Sequence, residues 1–147
     1  MNSKGGLVDE LHHGFVSAAA FSRDDRRLVT AGAPEEIGSV RVYDITQPEH
    51  VIGTLKTQSQ VTGVAYSPDG STIATVETAG TLTLWDATNL RQRMTIATDA
   101  TGNVAFTPDG TALVYASKGE VVRVLSLRID DLTKLAHTRL ARSKVQQ

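Results

Sequence analysis

The chain has 147 residues, a formal net charge of −1 from 15 basic and 16 acidic side chains, and no cysteine. That length suits one domain with a modest core, and the charge balance provides no field that would gather nucleic acid or an anionic membrane surface. The missing cysteines exclude disulfides, thiolate zinc sites and cysteine nucleophiles together.

The opening segment, 1–14, is polar and lacks the apolar stretch of a secretory signal. Within it, GGLVDEL (5–11) is a candidate outer closing strand, and Leu11-His12-His13-Gly14 forms the entry to residue 15. The longest apolar runs of the chain span a few residues, too short to cross a bilayer as a helix. The expectation is a soluble, cytoplasmic chain with neither a nucleic-acid nor a membrane partner.

From residue 15 the sequence repeats itself. VSAAAFSRDDRRLVTAG then SVRVYDI is followed by VTGVAYSPDGSTIATVE then TLTLWDA, and finally by NVAFTPDGTALVYAS then VVRVLSL. Phe21, Tyr66 and Phe106 fall in phase at a spacing of roughly 40–45 residues, as do Tyr43, Trp85 and Leu125. Alternation of apolar and polar positions within each unit has period two, the signature of strands. In TLTLWD, Leu82 and Leu84 point one way and Thr81, Thr83 and Trp85 the other. Strands are expected at 16–21, 27–32, 39–45 and 49–55; at 61–66, 72–77, 81–86 and 92–97; and at 102–106, 112–117 and 121–127. The domain plan is thus 15–127, divided as 15–55, 56–97 and 98–127.

Ser67-Pro68-Asp69-Gly70 and Thr107-Pro108-Asp109-Gly110 suit tight turns, with proline pre-set at the second position and glycine free to take positive φ at the fourth. Their counterpart, Ser22-Arg23-Asp24-Asp25, puts aspartate where the glycines sit, and aspartate tolerates the left-handed region better than most residues. Asp24, Asp69 and Asp109 recur unit by unit, as turn residues do, so they read as corners rather than as an active site. The stretch 32–38 is a longer, slightly acidic turn, an insertion in a surface loop.

Residues 128–147 change period. Ile129, Leu132, Leu135, Ala136 and Leu140 make one apolar stripe on an expected helix. Asp130 and Asp131 lie in its first turn and Arg139, Arg142 and Lys144 near its end, as the helix dipole favours. Lys134, His137, Arg139 and Arg142 would give it a basic face for a partner. Chemistry is otherwise sparse. His12, His13, His50 and His137 form no HExxH pattern or other metal-ligand spacing, and no phosphate-binding glycine loop or GxSxG elbow occurs. No catalytic, metal or cofactor residue is expected.

The SPDG-type corners, the strand ending Leu84-Trp85-Asp86-Ala87 and the period near 40 resemble the WD-repeat β-propeller family. The resemblance implies an all-β fold: a partial β-propeller of three four-stranded antiparallel blades, the last incomplete, followed by the C-terminal α-helix. It departs from the family in one respect. Many members join a Gly-His histidine, a turn aspartate, a strand Ser/Thr and the Trp in a buried network, whereas here the second unit keeps Thr75 and Trp85 but has Thr57-Gln58 and Ala79 at the other places. The network is expected to be absent from every unit, leaving the blades to apolar packing.

Propellers usually close with four to eight blades. Three blades imply the C-terminal part of a longer chain or, alternatively, head-to-tail copies. The tail also resembles those that come after the last blade in many bacterial WD-repeat proteins, which often carry signalling ATPase or kinase modules upstream. The function implied is a non-enzymatic scaffold without cofactors, contacting protein or peptide partners through the loops 33–38, 57–60, 78–80, 98–101 and 118–120. Gln58, Gln60, Glu77, Thr78 and Lys118 are the candidate contact residues by loop position. The alternatives are a regulatory propeller of a larger signalling ATPase or kinase, and a lactonase-like enzyme propeller needing clustered acids or histidines along a channel.

Overall fold

A computed structural model describes residues 15–32, 39–47 and 51–128. The strand expected over 5–11, the loop 33–38, all four histidines and the helix expected over 128–147 lie outside these residues, apart from Arg128, which carries no regular structure. No helix occurs among the described residues.

Among the described residues eleven strands fall into three sheets, and within each sheet consecutive strands pair antiparallel. β1 (Val16–Phe21), β2 (Arg27–Gly32), β3 (Ser39–Asp44) and β4 (Val51–Lys56) form the first sheet in that order. β5 (Val61–Tyr66), β6 (Thr72–Glu77), β7 (Thr81–Asp86) and β8 (Gln92–Ala97) form the second. The third has three strands among the described residues: β9 (Ala100–Phe106), β10 (Ala112–Ser117) and β11 (Val121–Ser126). Period-two alternation therefore placed every strand. The largest differences from expectation are β4, which starts and ends later, and β9, which starts earlier at Ala100.

The sheets stack face to face along the chain, with β1 beside β5 and β5 beside β9, so these three are the inner strands of successive blades. The core lies between blades. Val29, Val40, Val42 and Leu55 of the first sheet meet Val64, Tyr66, Ile73 and Trp85 of the second. Ala74, Val76, Leu82 and Leu84 on the second sheet's other face meet Val104, Leu113 and Tyr115 of the third. Each buried aliphatic side chain contributes about 1.5–3 kcal/mol, so these two interfaces hold the stack together.

Two features fasten the inner strands. At the β-bulges that begin β1 and β5, the Ser17 hydroxyl lies 2.8 Å from the Val61 carbonyl oxygen, and the Thr62 hydroxyl lies 3.4 Å from that of Gly102. Each hydroxyl bridges to the neighbouring blade. At Gly63 a Cβ would fall 2.7 Å from the Gly102 carbonyl oxygen, so a residue without a side chain is required where β5 and β9 approach.

The corners are built alike. Gly70 and Gly110 take φ of 74° and 73°, and Asp25 takes 58° in their place, as its turn position requires. Asp69 accepts hydrogen bonds from the Ser67 hydroxyl (2.6 Å), the Ser71 amide (3.0 Å) and the Ser71 hydroxyl (2.7 Å), while the Ser67 oxygen accepts from the Thr72 amide. Thr107, Asp109, Thr111 and Ala112 repeat the arrangement, and Ser22, Asp24, Arg26 and Arg27 make a reduced form. The donors stabilise the carboxylate. Those of Ser67 and Ser71 hold Asp69 down at about 2, and those of Thr111 and Thr107 do the same for Asp109, against an ordinary value of 3.8.

A carboxyl held low in the folded state stabilises the fold fully above its ordinary value and loses that contribution as pH falls through the folded value. The urea midpoint is therefore expected to drop between about pH 4 and pH 2. The paired variant Asp69→Asn/Asp109→Asn keeps an acceptor oxygen at each corner but cannot titrate, and should flatten that decline. An unchanged slope would refute the role given to the corners.

Candidate interaction face

The connections β4–β5, β6–β7, β8–β9 and β10–β11 all emerge at the end of the sheets opposite the aspartate corners. They are tied into one rim. Thr78 N donates to Gln60 O at 2.8 Å and Ala79 N to the Ser59 hydroxyl at 3.2 Å, joining the first loop to the second. Thr98 donates its amide (2.8 Å) and hydroxyl (3.0 Å) to Gly80 O, joining the second to the third. Lys118 N donates to Asp99 O at 3.1 Å, and Arg123 pairs with the Asp99 carboxylate at 3.2 Å, joining the third to the fourth. The Ser117 hydroxyl first, and Arg123 after it, hold the Asp99 carboxyl below the usual carboxylate range.

Gln58, Gln60, Thr78 and Lys118 are exposed on this rim. Glu77 is not. It is 4% exposed, and its carboxylate accepts from the Gln58 and Ser59 amides at 3.1 Å and from the Ser59 and Thr83 hydroxyls at 3.4 Å. The expectation that Glu77 contacts a partner is corrected on this ground, because a carboxylate folded under a loop satisfies that loop's amides instead. Counting by two from Ile73 and Thr75 puts Glu77 on their buried face, a signal the loop-position reading passed over.

The expectation of purely apolar blades is corrected as well. Trp85 Nε1 donates to the Thr75 hydroxyl at 3.0 Å, both groups being buried, and Thr83 links the same strand to Glu77. The second blade thus keeps a buried polar network, with Glu77 holding the loop. Among the described residues Tyr66 Oη is the buried side-chain oxygen left without a partner, and burial pushes its phenol up to about 12. No group of three or more acids or histidines that could hold a metal occurs among the described residues, nor any helix long and apolar enough to cross a membrane.

The family described as "WD domain, G-beta repeat" matches residues 49–86, which run from β4 to the Trp85-Asp86 end of β7. A WD repeat-containing protein of the cyanobacterium Synechocystis sp. is 34% identical over 104 residues, which are 69% of this chain and 29% of that protein. The chain belongs to the WD-repeat β-propeller family.

Rat telomerase protein component 1 is 40% identical over 76 residues, half of this chain and 3% of that protein. This WD-repeat chain therefore spans less than a third of the length of either curated relative. Among solved structures, the β-propeller domain of Cps50 (Swd1) from Myceliophteria thermophila superposes at a TM-score of 0.67 and 16% identity, covering 82% of this chain and 41% of that one. Kuenenia stuttgartiensis hydrazine synthase does so at 0.67 and 17%, covering 83% and 36%. At such identities these two likenesses describe the fold alone.

Proposed function

We propose that this WD-repeat chain is a non-enzymatic, cytoplasmic scaffold that binds protein or peptide partners on the loop rim through Gln58, Gln60, Thr78 and Lys118. The observation carrying this reading is the buried Glu77, which holds the 57–60 loop by two backbone amides while leaving Gln58 and Gln60 exposed. A loop ordered in advance loses less conformational entropy on binding, which favours affinity for neutral, hydrogen-bonding partner surfaces. Propellers of this family serve typically as protein-interaction scaffolds.

The same role would suit a regulatory propeller of a larger signalling ATPase or kinase. What supports that version is the length of the relatives beyond the matched region. Further blades, from the same longer polypeptide or from other copies, are part of the proposal.

The test compares two variants for cross-linked partner capture. Gln58→Ala/Gln60→Ala/Thr78→Ala/Lys118→Glu should lose the partners, while Thr88→Ala/Arg91→Ala at the opposite end should keep them. Both should retain the strand signal in circular dichroism. The reverse pattern would refute the rim as the binding face.

A further inference from the structure

Successive corners meet side by side. A Cβ at Gly110 would lie 3.4 Å from Pro68 Cδ, which sets the Asp69 corner against the Asp109 corner. At this junction of the second and third blades lies a cleft of about 260 Å³. Leu84, Phe106 and Leu127 line it with apolar surface, and Asp69 and Asp109 with charge. Arg93 lines it too, but its guanidinium is engaged by Asp86 at 2.8 Å and by the Thr72 hydroxyl at 3.0 Å. The cleft is smaller than the roughly 300–1,000 Å³ of small-molecule sites and suits a single side chain.

Both carboxylates have an oxygen to spare. The hydrogen bonds from Ser67 and Ser71 to Asp69, and from Thr107 and Thr111 to Asp109, all end on Oδ1. Oδ2 of each is left for a further donor. Those same bonds hold both carboxyls low, so the pair stays negative near neutral pH. Asp69 and Asp109 are exposed and Phe106 and Leu127 partly so, and the cleft is therefore reached from solvent.

The cleft one blade earlier shows what such a place accommodates. Asp24, Asp44 and Asp69 line it together with Arg23, Arg26 and Arg27, so its charges balance. Arg27 crosses from the first blade to the second, its Nη1 donating to Ala87 O at 2.9 Å. In register with that corner, Ser71 and Thr72 stand where Arg26 and Arg27 stand, and Leu127 where Ala87 stands. The second cleft keeps the acids and puts hydroxyls in the place of the guanidiniums.

We propose that the cleft between the second and third blades, at the aspartate corners, binds an arginine side chain presented by a partner protein. The methylene stem would lie on Leu84 and Leu127 and the guanidinium plane against the Phe106 ring. Its fork of donors would pair with the two spare Oδ2 atoms, which a lysine ammonium, a point charge, matches less well. The cleft lies at the end opposite the loop rim, so that reading and this one fail separately.

The probe is the blocked pentapeptide GGRGG, titrated into the isotopically labelled chain at low salt and neutral pH. Shifts should centre on the amides of Ser71, Thr111 and Leu127 and saturate at roughly millimolar peptide, as one anchored side chain allows. The same peptide with citrulline, the uncharged isostere, should bind at least about tenfold more weakly, and the lysine peptide several-fold more weakly. Asp69→Asn/Asp109→Asn keeps an acceptor at each corner and should lose the arginine peptide, as should Thr72→Arg, which supplies a guanidinium from within. Asp24→Asn in the first cleft should leave binding unchanged, and circular dichroism should show the strand signal in every variant. Three results would overturn the proposal: citrulline binding as tightly as arginine, shifts centred on the first cleft or the rim, or undiminished binding by the folded Asp69→Asn/Asp109→Asn chain.

Discussion

Trp85→Ala should destabilise the fold by about 3–5 kcal/mol, the range for deleting a buried indole. Trp85 is 5% exposed and packs with Val64, Tyr66 and Ile73 in the cluster that joins the first and second blades. Its removal opens a cavity at that junction and leaves the Thr75 hydroxyl, itself fully buried, without its donor. Trp85→Phe keeps most of the apolar area and loses the hydrogen bond, so it should cost less, about 1–2 kcal/mol. Urea denaturation of both variants checks this. Equal losses would place the contribution in the hydrogen bond and not in the packing.

Glu77→Ala is the second large effect, expected at about 2–4 kcal/mol, because it strands several donors at once beneath a loop. The Gln58 and Ser59 amides and the Thr83 hydroxyl all point at this carboxylate. The loss should be local as well as global. Amide exchange at Gln58 and Ser59 should accelerate more than exchange in β6 and β7, and partner binding at the rim should weaken although Glu77 is itself hidden. Glu77→Gln keeps an acceptor oxygen in place and should recover part of both. If Glu77→Ala leaves the loop amides as slow as before, the carboxylate is not what orders the rim.

The two substitutions also mark how far the sequence could be read. Alternation with period two located the strands, because each inner-facing position must be apolar wherever two sheets meet. The repeated corner located the turns, because Asp69, Asp109 and Asp24 clamp their own neighbours and need nothing distant. Such interactions are local, and local interactions are written in consecutive residues.

Glu77 is not legible in this way, for the opposite reason. A charged residue at a strand end beside Thr-Ala-Gly has the look of an exposed turn, and its burial depends on the 57–60 loop crossing over it from almost twenty residues away. The hydroxyl bridges of Ser17 and Thr62 likewise reach carbonyls about 40 residues distant, which no spacing rule within one repeat encodes.

The sequence by itself therefore determined the all-β class, the repeat and the corners, since backbone geometry and alternation depend on neighbours along the chain. Tertiary structure alone decided which of the equivalent positions are covered. Leu82 and Val122 occupy the same place in their repeats, yet one is fully buried and the other 68% exposed. Among the described residues the third blade packs on the second and no sheet packs on the far face of the third, and burial is a property of what lies across the sheet.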